Sequence, residues 1–218
     1  ISQKRTRAAI IDYGSGNIKS VKKAVEKVNR GSVRVTNEPD ELVDASHFIL
    51  PGVGAFSKAM EELRNRNLIE IIKDSAKRGT PILGICLGMQ MLLDESEEFG
   101  ISEGLGLIPG RVIPIHKKSK HNNPLTIPHI GWNALVGDSL NNWEKSLLKG
   151  LNQGDDVYFV HSFMAKTYDK SHSIAYCNYG DYPVSAVVAN KNIMGCQFHP
   201  EKSGEAGLKI LRNFLSIG

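Results

Sequence analysis

Cysteine is scarce in this sequence, and the three that it has lie far apart. Cys86, Cys177 and Cys196 form no C-x-x-C pair and share no zinc-ligand spacing with histidine. An odd and scattered set of thiols argues against a disulfide framework and against a structural zinc site, and it is typical of proteins from a reducing compartment. We therefore expect a cytoplasmic protein without a metal site.

Long apolar runs and a dominant charge are also missing. No stretch reaches the roughly 18 apolar residues of a membrane span, and the basic start lacks the apolar segment of a signal peptide. The formal net charge is +4, and basic residues cluster only at 4–7 and 116–121. Because no nucleic-acid reading motif or set of stacking aromatics accompanies them, we expect neither nucleic acid nor a membrane as a partner.

What the first half does contain is an alternation of short apolar runs and helical patterns. Strands are predicted at 8–14, 33–36 and 47–52, helices at 17–28, 56–65 and 68–79, and a strand running into a helix at 81–96. The helix at 68–79 ends in basic residues and a glycine cap. This order favours a parallel sheet covered by helices on both faces.

The second half has the shorter, turn-separated runs of further strands, some of them antiparallel. They lie at 106–115, 158–165, 172–180 and 183–200, before a closing helix at 204–215. There are no internal repeats and no obvious linker. Although 218 residues could form one large or two small domains, we expect one α/β domain over residues 8–218, preceded by a tail at 1–7.

The first candidate for chemistry is Cys86, in the G-x-C-x-G stretch "GICLG". This pattern is the thiol counterpart of the nucleophile elbow, in which a strand turns sharply into a helix and exposes the nucleophile. Glycines at positions 84 and 88 suit such a tight turn, and the helix N-terminus would favour the thiolate. By itself the pattern fits a buried packing cysteine about as well, so it needs a base.

The segment "QFHPEKS" supplies that base. In an extended chain, residues two apart face the same way, so His199 and Glu201 can project together, and Pro200 biases His199 toward the β region. His199 would take the thiol proton and later donate it, while Glu201 would orient the ring. A strand-end histidine beside a surface glutamate would be the simpler reading of this segment without Cys86.

A third piece is "LPGVGAF" at 50–56, a strand end that opens into glycines before a helix. The amide of Val53 could join that of Leu87 in an oxyanion hole. The stretch lacks both G-x-G-x-x-G and a Walker lysine, so it is a poor phosphate loop, and a plain turn is the alternative. His161 lies in an apolar strand and is as well explained by the core as by a site. The other histidines offer no paired spacing.

These three pieces, in this order, resemble the class I (triad) glutamine amidotransferases, in which a Cys-His-Glu triad releases ammonia from glutamine. Further motifs, among them "PHIGWN" and "GLGLIPGRV", are similar to the glutaminase subunits of imidazole glycerol phosphate synthase. The resemblance spans positions 10 to 215 and departs from the family only at 117–123 and 137–145. It implies the single-domain amidotransferase fold with a flavodoxin-like core, and it implies no cofactor.

The resemblance also implies roles for individual residues. Cys86 would be the nucleophile, His199 the general base and acid, and Glu201 the orienting carboxylate. Oxyanion contacts are implied for Gly52, Val53 and Leu87. Contacts to the substrate L-glutamine are implied for Gly54, Gln90, Ser162 and Phe163, and Gln90 does lie one helical turn beyond Cys86.

In that family the ammonia passes through a tunnel to a (β/α)₈-barrel cyclase, which forms imidazole glycerol phosphate and an aminoimidazole carboxamide ribotide in histidine biosynthesis. The resemblance therefore implies a heterodimer whose oxyanion hole is completed when the partner binds its own substrate. Interface positions are implied at Asn17, Trp132, Asn133, Tyr158 and Lys202. Trp132 could instead be a half-buried aromatic that covers its own core.

Three other functions remain open at this point. A paralogous subunit could feed ammonia to a sugar-modifying synthase in surface polysaccharide synthesis, and the neighbouring gene or the barrel that co-purifies would distinguish it. A stand-alone thiol hydrolase or peptidase would turn over without a partner and would not need Gln90. A non-catalytic binding module should have lost Cys86, His199 or Glu201, and all three are present.

Overall fold

One seven-stranded sheet organises the computed structural model, which describes residues 6–137 and 143–218. The strands are β1 (Arg7–Ile11), β2 (Ser32–Thr36), β3 (His47–Gly52), β4 (Ile82–Cys86), β5 (Leu93–Ser96), β6 (Ser102–Glu103), β7 (Ile108–Pro114), β8 (His129–Ala134), β9 (Asp156–His161), β10 (Phe163–Thr167), β11 (Ser173–Tyr179), β12 (Tyr182–Asn190) and β13 (Ile193–Cys196). The α-helices are α1 (Ile18–Val28), α2 (Pro39–Leu42), α3 (Phe56–Asn65), α4 (Leu68–Lys77), α5 (Leu87–Met91) and α6 (Gly204–Leu215).

The strand order of the large sheet is β2-β1-β3-β4-β13-β12-β11. The first five strands are parallel, and β12 and β11 extend the sheet in antiparallel fashion. With β13 in fifth place, the parallel strands follow the 2-1-3-4-5 order of flavodoxin-like folds. The expected mostly parallel α/β sheet with a partly antiparallel second half is confirmed.

Both faces of this sheet are covered, which explains the continuous apolar runs of its central strands. Every residue of β3 and β4 is buried. In β1, Ile10 belongs to an apolar cluster with Val25 of α1 and Phe214 of α6, whereas Ile11 belongs to a second cluster with Leu63 of α3. Neighbouring residues of one strand thus feed cores on opposite sides of the sheet.

Local signals fixed several helix ends. α3 begins and ends at the predicted residues 56 and 65, and α6 at 204 and 215. α4 ends at Lys77, and Gly79 follows with a φ of +88°, the left-handed conformation that suits a glycine cap. α1 begins after Asn17, whose φ of 73° is one that asparagine tolerates better than most residues.

The helix after Cys86 is shorter than the apolar pattern of 86–96 suggests. α5 ends at Met91, and Leu93 begins β5, which pairs with β7 and β6 in a second sheet of order β10-β7-β5-β6. Leu92 and Leu93 are fully buried. Tertiary pairing with this second sheet therefore outweighs the local helical periodicity.

Thr6 and Arg7, which the sequence assigns to the N-terminal tail, contact the folded domain. Arg7 pairs with Ser32 in the first register position of β1 and β2, and the Thr6 hydroxyl donates to the carbonyl of Leu215. The rest of the expected tail, residues 1–5, lies outside the described residues, as does much of the 137–145 stretch.

The loops that carry the candidate motifs all follow the carboxyl ends of parallel strands, so they lie at the same end of the sheet. β1, β3, β4 and β13 are parallel neighbours, and they end at Ile11, Gly52, Cys86 and Cys196. In open parallel sheets, ligands bind outside these carboxyl ends. The antiparallel strands β8 and β9 form a separate two-stranded sheet. This small sheet lies beside the carboxyl ends of the parallel strands, because the amide of His199 donates to the carbonyl of Tyr158. Within 6–137 and 143–218, no helix has the length and apolarity to cross a membrane.

Candidate active site

Cys86 occupies a strained turn between β4 and α5. Its φ and ψ are 56° and −113°, a backbone conformation that costs a non-glycine residue about 1–3 kcal/mol. The two flanking glycines make the turn possible. A Cβ at Gly84 would lie 2.6 Å from the carbonyl oxygen of Gly88, and a Cβ at Gly88 would collide with the carbonyl oxygen of Leu50. This is the geometry of a nucleophile elbow, with the sulfur held at the helix N-terminus.

The imidazole of His199 lies between Cys86 and Glu201. Its Nδ1 is 2.6 Å from Oε1 of Glu201, and both side chains are almost wholly buried. Because a carboxylate accepts, Nδ1 carries the proton in this hydrogen bond, which leaves Nε2 to exchange a proton with the thiol. Burial by itself would lower the pKa of His199, but hydrogen bonds with Cys86 and Glu201, and the charges of these groups, raise it to about 9.

Asn17 binds the same carboxylate oxygen as His199. Its Nδ2 donates to Oε1 of Glu201 over 2.5 Å and lies 3.5 Å from Nδ1 of His199. The second carboxylate oxygen, Oε2, is buried and has no hydrogen-bond partner among the described residues. Oε1 of Glu201 therefore receives both an amide and an imidazole N–H, an arrangement that fixes the ring.

The candidate oxyanion residues lie beside Cys86 but are not all directed at it. Gly52 pairs with Cys86 across β3 and β4, and the Leu87 amide opens α5, where helical amides have no intrahelical acceptor. The amide of Val53, however, donates to the hydroxyl of Ser15 over 3.1 Å. In this structure the Val53 amide is thus already engaged.

Close packing beneath Gly52 limits this strand end to a glycine. A Cβ at Gly52 would lie 2.6 Å from the hydroxyl of Tyr13 and 2.8 Å from the amide nitrogen of Gly88. The Tyr13 hydroxyl donates to the carbonyl of Pro51 over 2.8 Å, and burial raises the pKa of that phenol. Tyr13 therefore stays neutral and anchors the carbonyl next to Gly52.

Two of the candidate substrate residues meet directly. Nε2 of Gln90 donates to the carbonyl of Phe163 over 3.1 Å. Ser162 lies between β9 and β10, and its carbonyl accepts the amide of Ile115. Gly54 has a φ of +103° and no atom within 4 Å of the position of a Cβ, so it borders open space. The sulfur of Cys86 reaches the same region by donating to the carbonyl of Val160 over 3.6 Å.

Among the candidate interface residues, Trp132 and Tyr158 contact each other, whereas Asn133 and Asn17 donate hydrogen bonds to other parts of the chain. Trp132 of β8 pairs with Tyr158 of β9, their rings lie 5.8 Å apart, and Trp132 is 58% exposed. Asn133 turns the other way and donates to the carbonyl of Asn178. Asn17 is tied to Glu201, and Lys202 is exposed one residue beyond Glu201, at the end of a 3-10 turn.

Two features of this region escaped the sequence analysis. Ile130 is 59% exposed on the same strand face as Trp132, and the period-two alternation of β8 could have revealed it. His129 and His161 form a buried pair with Nδ1 and Nε2 3.0 Å apart. No spacing rule could have joined them, since 32 residues separate them and only the β8–β9 register brings them together.

Gln197 is a third feature that the sequence analysis did not identify, although its spacing offered a usable signal. It precedes His199 by two positions in an extended segment, the same relation that joined His199 to Glu201. The side chain is fully buried; Oε1 accepts from Nε2 of Gln90 over 3.0 Å, and Nε2 lies 3.8 Å from the sulfur of Cys86.

The described residues include no cluster of three or more metal-ligating side chains. The arrangement as a whole suits thiol-based acyl transfer.

Comparison with known proteins identifies the family. A family model described as glutamine amidotransferase class-I matches residues 9–217. Imidazole glycerol phosphate synthase subunit HisH 1 of Legionella pneumophila (strain Lens) is 47% identical over 210 residues, covering 96% of this chain and 98% of that protein. The HisH subunit of Geobacillus sp. (strain WCH70) is 48% identical over 208 residues, covering 95% of each chain.

A likeness to a solved structure concerns the fold alone. The structure of PurLQS from Thermotoga maritima superposes with a TM-score of 0.72 at 22% identity, covering 97% of this chain and 98% of the other. The sequence matches are much closer and extend over nearly the full length of both chains. This chain therefore belongs to the class I glutamine amidotransferase family and, within it, to the HisH subunits of imidazole glycerol phosphate synthase.

Proposed function

We propose that this protein hydrolyses L-glutamine to glutamate and ammonia through Cys86, His199 and Glu201. The observation that carries the proposal is the buried 2.6 Å contact between His199 and Glu201, directed at a cysteine on a strained turn. His199 takes the thiol proton, and the sulfur attacks the side-chain amide carbon of glutamine. A tetrahedral oxyanion forms, and Gly52, Val53 and Leu87 surround it.

The intermediate then collapses by breaking the carbon–nitrogen bond. His199 donates its proton to the leaving nitrogen, ammonia departs, and a γ-glutamyl thioester remains on Cys86. Water attacks the thioester as His199 accepts a proton from it, and the release of glutamate restores the thiol. Gly54, Gln90, Ser162 and Phe163 position the amino-acid substrate, and no cofactor takes part.

The proposed acceptor of the ammonia is a (β/α)₈-barrel cyclase, bound as a heterodimer. It would use the ammonia to form imidazole glycerol phosphate and an aminoimidazole carboxamide ribotide in histidine biosynthesis. Support comes from the names of the relatives, which at 47–48% identity are subunits of imidazole glycerol phosphate synthase rather than of a polysaccharide enzyme. The free, buried cysteines are in keeping with a cytoplasmic setting.

The proposed docking surface is the outer face of the two-stranded sheet β8–β9, together with the neighbouring rim of the site. Ile130 and Trp132 are 59% and 58% exposed, and the Tyr158 ring packs against Trp132. Aromatic residues surrounded by polar ones are typical of interface centres. Asn17 and Lys202 would extend this surface at the site rim, whereas Asn133, on the reverse face of β8, would not contact a partner bound there.

We further infer that the isolated chain is held in a less active form. The amide of Val53 is bound to Ser15 and must be released before it can donate to an oxyanion. Binding of the cyclase together with its own ligand would favour the released arrangement, since a ligand shifts an equilibrium toward the state that it binds better.

The experiment is to measure glutamate release by the chain alone, with the cyclase, and with the cyclase plus its nucleotide ligand. We expect strong stimulation in the last case and none in Cys86→Ala. Glutamate release by Cys86→Ala would contradict the proposed nucleophile. Unstimulated turnover in the complete mixture would contradict the cyclase as the partner.

A further inference from the structure

Three groups surround the sulfur of Cys86, and only His199 belongs to the proposed triad. The carbonyl of Val160 lies 3.6 Å from the sulfur, and Nε2 of Gln197 lies 3.8 Å from it. A carbonyl can only accept, so Val160 favours the protonated thiol. An amide N–H can only donate, so Gln197 favours the thiolate.

The direction of the Gln197 amide is fixed by its neighbours. The carbonyl of Phe163 can only accept, so the atom of Gln90 that faces it is the nitrogen. The same nitrogen faces Gln197 over 3.0 Å, so the atom that Gln197 presents to it must be the oxygen Oε1. Nε2 of Gln197 is thereby left on the side of Cys86.

The Phe163 carbonyl is itself held in place. Nδ1 of His161 also donates to it, over 2.8 Å, and Nε2 of His161 then accepts from Nδ1 of His129. Burial lowers the pKa of His161 to about 3, so this ring stays neutral and keeps its single Nδ1 proton on Phe163. Every bond from His129 to Gln197 thus has one permitted direction.

The backbone of Gln197 is equally constrained. Its amide donates to the carbonyl of Ala186 over 2.9 Å, and the amide of His199 donates to Tyr158 over 2.9 Å. The side chain is fully buried, so water does not compete for the Nε2 hydrogens. A hydrogen bond to an ionised acceptor in such a site is stronger than one to a neutral acceptor.

We propose that Gln197 is a further catalytic residue, whose Nε2–H donates to the sulfur of Cys86 and stabilises the thiolate before it attacks the substrate. The proposal rests on the role of Cys86 as nucleophile. It gives the sulfur two N–H donors, His199 and Gln197, against the one carbonyl of Val160. It also makes Gln90 a link between the substrate site and the nucleophile.

The test is the pH profile of Cys86 alkylation by iodoacetamide in the full chain, with the labelled residue located by peptide mass spectrometry. Gln197→Met keeps the length of the side chain and removes the donor. We expect its alkylation midpoint to move toward higher pH by about one unit, and its rate near neutral pH to fall about tenfold. An unchanged profile in a folded Gln197→Met protein would overturn the proposal.

A matched control, Asn192, lies at the amino-terminal end of the parallel strand β13, opposite to the end that carries the site. Nδ2 of Asn192 donates to the carbonyls of Ala76 and Thr80, so Asn192→Leu also removes two side-chain hydrogen bonds, far from the thiol. We expect Asn192→Leu to lose stability and to keep the wild-type alkylation profile. A shift as large as that of Gln197→Met would assign the effect to general loosening and would also overturn the proposal.

A measurement on the unsubstituted chain covers the case in which Gln197→Met does not fold. The side-chain amide NMR signals of Gln197 should move as the Cys86 thiol ionises, and should stay fixed over the same range in Cys86→Ser. Signals that do not respond to thiol ionisation would overturn the proposal. Because alkylation and NMR need neither glutamine nor a partner, a failure of the proposed glutaminase reaction would be seen separately.

Discussion

The amide of Val53 donates to the hydroxyl of Ser15 over 3.1 Å, so a single serine side chain restrains a proposed oxyanion donor. The contact joins the loop after β1 to the end of β3, on the carboxyl edge of the sheet. A net hydrogen bond of this kind contributes about 1 kcal/mol, which corresponds to roughly a fivefold population change.

Ser15→Ala should therefore raise the glutaminase activity of the isolated chain about fivefold, since the Val53 amide loses its competing acceptor. The measurement is glutamate release without cyclase. Ser46→Ala is the matched control, because the Ser46 hydroxyl accepts the amide of Arg7 at the opposite edge of the sheet. Equal basal rates in the two variants would contradict the restraining role of Ser15.

Glu201→Gln should lower kcat about a hundredfold or more, because the imidazolium of His199 loses its carboxylate. The pKa of His199, now held at about 9, should fall, since burial is then less well opposed. The proton needed by the leaving ammonia is then lost at lower pH. The alkaline limb of the kcat profile should move toward acid, and an unmoved limb would show that Glu201 does not act on His199.

The buried ring of His161 should make the fold sensitive to mild acid. Burial lowers its pKa from an ordinary value near 6.5 to about 3, so between these values the unfolded chain binds a proton that the folded chain excludes. The contribution of neutral His161 to the free energy of unfolding is fully present above about pH 6.5. It is lost as the pH falls toward 3, at up to about 1.4 kcal/mol per pH unit.

His161→Asn removes this titration while its amide can still donate to Phe163. Urea unfolding of both proteins between neutral pH and pH 5 should show a shallower loss of unfolding free energy in the variant. His47 and His129, whose pKa values are also lowered by burial, remain in both proteins. Parallel curves would mean that His161 accepts a proton in the folded state.

Gly88→Ala should destabilise the protein by at least about 3 kcal/mol, because the new Cβ would collide with the backbone carbonyl of Leu50. Gly79→Ala is the comparison. Its φ of +88° is strained for alanine but no atom lies within 4 Å, so a cost of about 1 kcal/mol is expected. Thermal or urea unfolding measures both, and similar losses would show that the elbow can relax.

Trp132→Ala should weaken binding to the cyclase by about 2 kcal/mol, roughly thirtyfold in Kd, while leaving the stability of the isolated chain nearly unchanged. Its indole is 58% exposed and so contributes little to the core. Phe99→Ala, at a side chain that is 89% exposed elsewhere on the chain, is the control. Equal Kd values for the two variants would place the interface on another face.

Local patterns predicted the parts of the fold that local physics decides. The apolar spacing of α1, the glycine cap of α4 and the buried runs of β3 and β4 all follow from short stretches of sequence. The end of α5 at Met91 does not, because it depends on pairing between β5 and a strand that begins fifteen residues later. Tertiary pairing of this kind leaves no local periodicity.

The site divides in the same way. The spacing within "QFHPEKS" predicts that His199 and Glu201 lie close together, but the approach of Cys86 to them depends on the pairing of β4 with β13. Ser15 and His129 act through contacts to distant parts of the chain, Val53 and His161 respectively. Gln197 falls between the two cases, because its spacing from His199 was informative but its direction depends on Gln90.

The two-stranded sheet β8–β9 is a single layer of backbone where it borders the site. Ile130 and Trp132 face outward, and on the reverse side of the same strand His129 touches His161, which holds the carbonyl of Phe163. A partner bound at Trp132 would therefore be separated from the proposed glutamine site by a single layer of backbone. In the proposed complex, the partner and the residues around Cys86 would therefore contact opposite faces of the same two strands.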